Sequence, residues 1–139
     1  MAIRLKGCRV VGGLARGEAL VSAEPISFWG GVDPASGRIN DPRHELCGRS
    51  VAGRVLAFPI GKGSSTGSLI VLELARIERA PAAIINVRSE PILATGPIVS
   101  RHFYGRQIPM VTLSAVEFER LQTGQALTVN GTEGWVEIG

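Results

Sequence analysis

Residues 57–76 read AFPIGKGSSTGSLIVLELAR, an apolar run, a loop of glycine, lysine and hydroxyls, and a second apolar run. The first run has the length of a buried strand and the last has the length of a helix, so the stretch reads as strand, loop and helix. A chain entering a helix through glycines leaves backbone N–H groups without intrahelical partners around the helix start. Such a place attracts anions.

The familiar phosphate loops do not match. The pattern GxxxxGK[ST] needs glycine where Leu56 stands and Ser or Thr where Gly63 stands. In the dinucleotide pattern GxGxxG, Gly61 and Gly63 fit, but the next glycine is Gly67, one residue late. What remains is Ser64, Ser65, Thr66 and Ser68 beside Lys62. Helix capping accounts for one or two hydroxyls, each contributing about 1 kcal/mol. A functional loop accounts for all of them together with the lysine. A serine there works as a base or nucleophile only if its alkoxide is stabilised. The backbone N–H groups, the positive helix end and Lys62 favour that anion, provided the site is closed and poor in water.

Outward from this loop, the 139 residues include 45% hydrophobic and 19% charged residues, with mean hydropathy +0.20. A single folded domain over 1–139 is expected, and disorder is not. The apolar stretch 68–75 is interrupted by Glu73 and falls far short of the roughly 20 residues that span a bilayer. The N-terminus lacks the pattern of a cleaved leader, so a soluble cytoplasmic protein is expected, with no membrane association. Cys8 and Cys47 are 39 residues apart, and His44 and His102 have no ligand-like neighbour at close spacing. No metal site can be built from that set, and a disulfide and two free thiols both stay open. The 13 Arg and 2 Lys give a net charge of +3, but they are scattered and seven aromatics do not interleave with them. Nucleic-acid binding is therefore not expected, and the arginines read as solvated surface or a partner interface.

Eighteen glycines and eight prolines punctuate short apolar segments, the pattern of brief strands joined by tight turns. Strands are expected over 17–23, 54–59, 82–87, 110–113, 126–131 and 135–139, the last two forming a hairpin through NGTEG. Two helices are expected. The first, Thr66 to Arg79, is apolar on most sides and is read as largely buried, with Glu73 and Arg76 outward. The second, 114–124, begins with the capping-box pair Ser114 and Glu117 and stops at Gly124. Between the early strands, Phe28, Trp29, Gly30 and Gly31 read either as a loop tucked on the core or as an exposed lip over a site.

Several separated segments carry a family resemblance. GEALVSAEPISFWGGVDPASGRI, SVAGRVLAFPIGKGSSTGS, LIVLELARIERAPAAIIN and EPILATGPIVS, followed by IPMV, resemble in order the small subunit, or swivel domain, of the aconitase X family, over roughly residues 7–131. The resemblance implies an α/β fold, a swivelling β/β/α domain of aconitase-like type. It also implies a large-subunit partner that carries an iron–sulfur cluster, the pair forming a hydro-lyase in which a proton leaves carbon and a hydroxyl is eliminated with the cluster as Lewis acid. In the wider aconitase superfamily a serine in a comparable loop is the base, and the matching residue here is Ser64. Lys62, Gly63, Ser65 and Thr66 are then the expected substrate-binding residues. Aconitases have an arginine gripping a substrate carboxylate at the third place of their loop, where this chain has Thr66, so citrate is a poor substrate guess. Among hydroxy-acid substrates, the family offers cis-3-hydroxy-L-proline, dehydrated to Δ1-pyrroline-2-carboxylate, and phosphomevalonate. With Lys62 as the loop's one cation, hydroxyproline is the preferred expectation. A non-catalytic anion-binding or regulatory module is the alternative from another class.

Overall fold

The computed structural model describes residues 3–60, 65–88, 91–105 and 107–139. Its strands are β1 (Ile3–Lys6), β2 (Cys8–Val11), β3 (Leu14–Val21), β4 (Val55–Ala57), β5 (Ala83–Asn86), β6 (Met110–Thr112), β7 (Ala126–Asn130) and β8 (Trp135–Ile138). Its helices are α1 (Phe28–Gly31), α2 (Ser65–Arg76), α3 (Pro91–Tyr104) and α4 (Ala115–Phe118). The mixed α/β architecture agrees with expectation.

The eight strands form one sheet in the order β1-β8-β7-β3-β4-β5-β6-β2. Strands β3, β4, β5 and β6 run parallel, whereas β1, β8, β7 and the first half of β3 form an antiparallel meander. The eight-residue β3 joins the two halves: Leu14 to Glu18 pair with β7, and Ala19 to Val21 pair with β4. The two outermost strands, β1 and β2, are consecutive in the chain with only Gly7 between them, so the chain passes there from one end of the strand order to the other. A Cβ on Gly7 would overlap the Thr112 carbonyl oxygen and press on Leu113 and Val111. Only glycine lets the chain turn that corner.

Alternation along the strands separates two cores. The inner one takes Leu5, Ala19, Val55, Ala57, Ala83, Ile85, Val111 and Val129, with Phe118 of α4 and Leu121 at one end. The recurrence of alanine suits a narrow interior. The outer one takes Leu20, Leu56, Ile84 and Met110 from the sheet, covered by Ile70, Val71, Leu74 and Ala75 of α2 and Ala94 of α3. Helices α2 and α3 pack against each other over this face.

Helix α2 corrects one expectation. It buries Ile70, Val71, Leu74 and Ala75, and Leu69 stands 60% exposed, because α2 lies on the sheet as an outer layer. Helix α4 is one turn rather than the expected 114–124: Ser114 caps it, accepting from the Glu117 N–H at 3.2 Å, and turns follow to Gly124. Helix α3, and strands β1 and β2, are additions to the expected elements. Glu73 and Arg76 form the expected outward pair, whose hydrogen bonds hold the Glu73 carboxyl below its usual range.

Candidate active site

The four parallel strands all end at one edge, and both long helices begin there, α2 at Ser65 and α3 at Pro91. In parallel α/β sheets this carboxyl edge is where ligands sit. Lys62, Gly63 and Ser64 lie outside the described residues. Ser65 and Thr66 are the first two residues of α2, so Ser64 immediately precedes the helix start, where unpaired N–H groups and the positive dipole end lie.

The stem of the loop is fixed from both neighbouring strands. The Phe58 N–H donates to Ile85 O at 3.0 Å, and the Val87 and Arg88 N–H groups donate to Pro59 O at 3.0 and 3.1 Å. The Ile26 N–H donates to Ile60 O at 3.3 Å. Phe28 is buried edge-to-face on Phe58, with ring centroids 6.1 Å apart, so for Phe28 the core reading holds rather than the exposed lip.

Strand alternation places Ser22, Phe58 and Asn86 one step beyond Leu20, Leu56 and Ile84 on the helix-covered face, directly at this edge. Ser22 and Asn86 are buried polar residues. Asn86 Nδ2 donates to the Phe58 carbonyl at 2.8 Å. Ser22 Oγ lies 3.4 Å from His44 Nε2 and donates to Glu24 O at 3.0 Å. That pair has the look of an activated serine, but the His44 ring is set the wrong way. His44 Nδ1 accepts the Leu46 N–H at 3.0 Å, so the neutral ring carries its proton on Nε2 and donates to Ser22 rather than taking its proton. It is a structural clasp on the 22–46 loops.

Sequence reasoning missed Ser22, Asn86 and Arg88. The available signal was the interruption of apolar strands by one polar residue at the carboxyl end, as in AAIIN at 82–86. Arg88 is exposed at the stem of the loop, its N–H on the Pro59 carbonyl, a cation at this edge that the sequence reading did not single out.

An iron–sulfur cluster is held by sets of cysteine thiolates, four in the usual case. Cys8 and Cys47 are both free and exposed, and among the described residues no three His, Cys, Asp or Glu side chains gather into a metal-ligating group. The residues of this chain do not fit such a cluster. None of its described helices is long and apolar enough to cross a membrane.

A family model described as the aconitase X swivel domain matches residues 4–138. The chain belongs to the aconitase X swivel domain family. Relatives of this swivel domain include the phosphomevalonate dehydratase small subunits of Methanosarcina mazei, 44% identical over 98% of this chain and 91% of that protein, and of Methanothermobacter thermautotrophicus, 52% identical over 94% and 97%. The crystal structure of Thermococcus kodakaraensis aconitase X in its holo form superposes with a TM-score of 0.88 at 43% identity, covering 99% of the swivel domain and 98% of that chain. The swivel domain is thus similar to dehydratase small subunits, and the aconitase-like β/β/α fold expected from its motifs is the one observed.

Proposed function

We propose that this swivel domain is the small subunit of a phosphomevalonate dehydratase, working with a large subunit that holds the iron–sulfur cluster. The observation that carries this reading is the 44 to 52% identity, over nearly the whole chain, to small subunits of that name. It favours phosphomevalonate over the cis-3-hydroxy-L-proline preferred from the loop alone. Arg88 supports the same choice, because it is an exposed cation at the carboxyl edge that a phosphorylated substrate could pair with.

In the proposed reaction Ser64 takes a proton from carbon. The electron pair of the broken C–H bond forms a C=C bond as the hydroxyl on the neighbouring carbon leaves, and water is the second product. The start of α2 and Lys62 stabilise the serine alkoxide, and Ser65 and Thr66 orient the substrate with backbone N–H groups. Thr66 has no charge to offer a carboxylate, so that group is held by N–H donors or by the large subunit.

Replacing Ser64 by Ala in the reconstituted pair should lower kcat by a factor on the order of 1,000 while leaving assembly intact. Near-normal kcat would remove Ser64 from the mechanism. A non-catalytic anion-binding module would show itself differently, by binding phosphate in the isolated chain with no reaction affected by the substitution.

A further inference from the structure

Val21, Pro59 and Val87 stand one alternation step beyond Ala19, Ala57 and Ile85, the inner-core residues of β3, β4 and β5. With Phe118 and Leu121 they line an open, largely apolar groove of about 460 Å³ at the carboxyl edge. Helix α4 runs along it. If α4 served only to close the inner core, its apolar residues would all turn inward. Phe118 does so, but Val116 on the same turn stands 72% exposed, more than any other large apolar side chain among the described residues. A lone exposed valine is ordinary, whereas one beside an apolar groove marks a surface meant to be covered.

The rim adds charge. Glu119 lines the groove, and Ala23, which also lines it, gives its N–H to Glu45 Oε1 at 3.0 Å. Both carboxylates are exposed, in a chain whose net charge is +3. Arg88 follows Val87, so the acidic character belongs to the α4 and 23–45 side of the rim. The groove is also tied to the edge of the proposed site: the Val87 N–H donates to Pro59 O at 3.0 Å, and α2 and α3 begin at that same edge. The dehydratase reading requires a large subunit to come to this edge, and a subunit seated there covers the groove.

We propose that the groove between α4 and the ends of β3, β4 and β5 seats the large subunit, an apolar segment of which fills it with a Lys or Arg facing Glu119. The inference rests on the dehydratase reading and names the surface through which the pair assembles.

Affinity in the reconstituted pair tests it, read by sedimentation. Ala115→Glu and Val116→Asp set a carboxylate at exposed positions of α4, and each should raise Kd about 30-fold or more with the thermal midpoint of the free chain little changed. Glu119→Lys should raise Kd about tenfold and weaken its dependence on salt. Ala126→Lys, at an exposed position of β7, should bind as wild type does. On complex formation, hydrogen exchange over 21–23 and 114–121 should slow about tenfold. Binding of both α4 variants within about twofold of wild type, protection confined to other segments, or an equal loss in Ala126→Lys would overturn the proposal. Self-association of the free chain through the groove would make a second copy its occupant and overturn it as well. Should an α4 variant fail to fold, Ala23→Asp is measured by the same criteria. A wild-type chain that binds no large subunit would defeat the dehydratase reading and the groove together, whereas a pair that assembles through the groove and eliminates water from neither substrate would defeat the dehydratase reading alone.

Discussion

Asp33 closes the turn that carries Val32 and Ile39 into the outer core: its carboxylate accepts the Ala35 N–H at 3.0 Å and the Ser36 hydroxyl at 2.8 Å. Those bonds, the backbone one foremost, hold its pKa below the ordinary 3.8. With the native value depressed, the stabilisation is fully present above the unfolded value and is lost as pH falls through the native one. The thermal midpoint of wild type should therefore exceed that of Asp33→Ala by a constant margin above about pH 5, and the margin should narrow below about pH 3. At this scale the sequence is uneven. DPASG announces its turn, because Asp, Pro and Gly carry local conformational preferences. The roles of Ser22, His44 and Asn86 are not local: they follow from which face of a strand each side chain takes and which strand lies beside it.

Among the elements, α2 is legible because apolar residues recur along it after a hydroxyl-rich start, and its observed limits, Ser65–Arg76, differ little from those expected. Helix α3 is not legible, since EPILATGPIVSRHFY carries Gly96 and Pro97 inside it and reads as broken. Packing against α2 overrides that weak propensity. Pro91 at its first position was the one available cue, proline being favoured at a helix start. Strands β1 and β2 escaped notice because each has four residues, is largely exposed and is outermost in the sheet. Yet their junction is tightly constrained. Gly7→Ala would drive a Cβ into the Thr112 carbonyl, and should cost about 3 kcal/mol or more, read as a lower denaturant midpoint with unchanged m. A loss below about 0.5 kcal/mol would mean the corner yields freely.

For the molecule as a whole, the sheet, the helices on its outer face and the gathering of loops at one edge set out the carboxyl edge on which the proposed site rests. In the proposed reading that edge supplies the serine base and its backbone donors, and among the described residues no three His, Cys, Asp or Glu side chains gather into a metal-ligating group. The sequence carries two cysteines and two histidines at wide spacing, a set from which no metal centre can be argued. The sequence reading weighed the substrate on Lys62 alone, since Arg88 reaches the carboxyl edge only through the pairing of β5 beside β4. The most direct test is to reconstitute the chain anaerobically with its large subunit and assay phosphomevalonate and cis-3-hydroxy-L-proline side by side. Turnover that needs both subunits, with kcat/KM for phosphomevalonate higher by about 100-fold or more, is the predicted result. Preference for hydroxyproline, or full activity in either subunit alone, would contradict it.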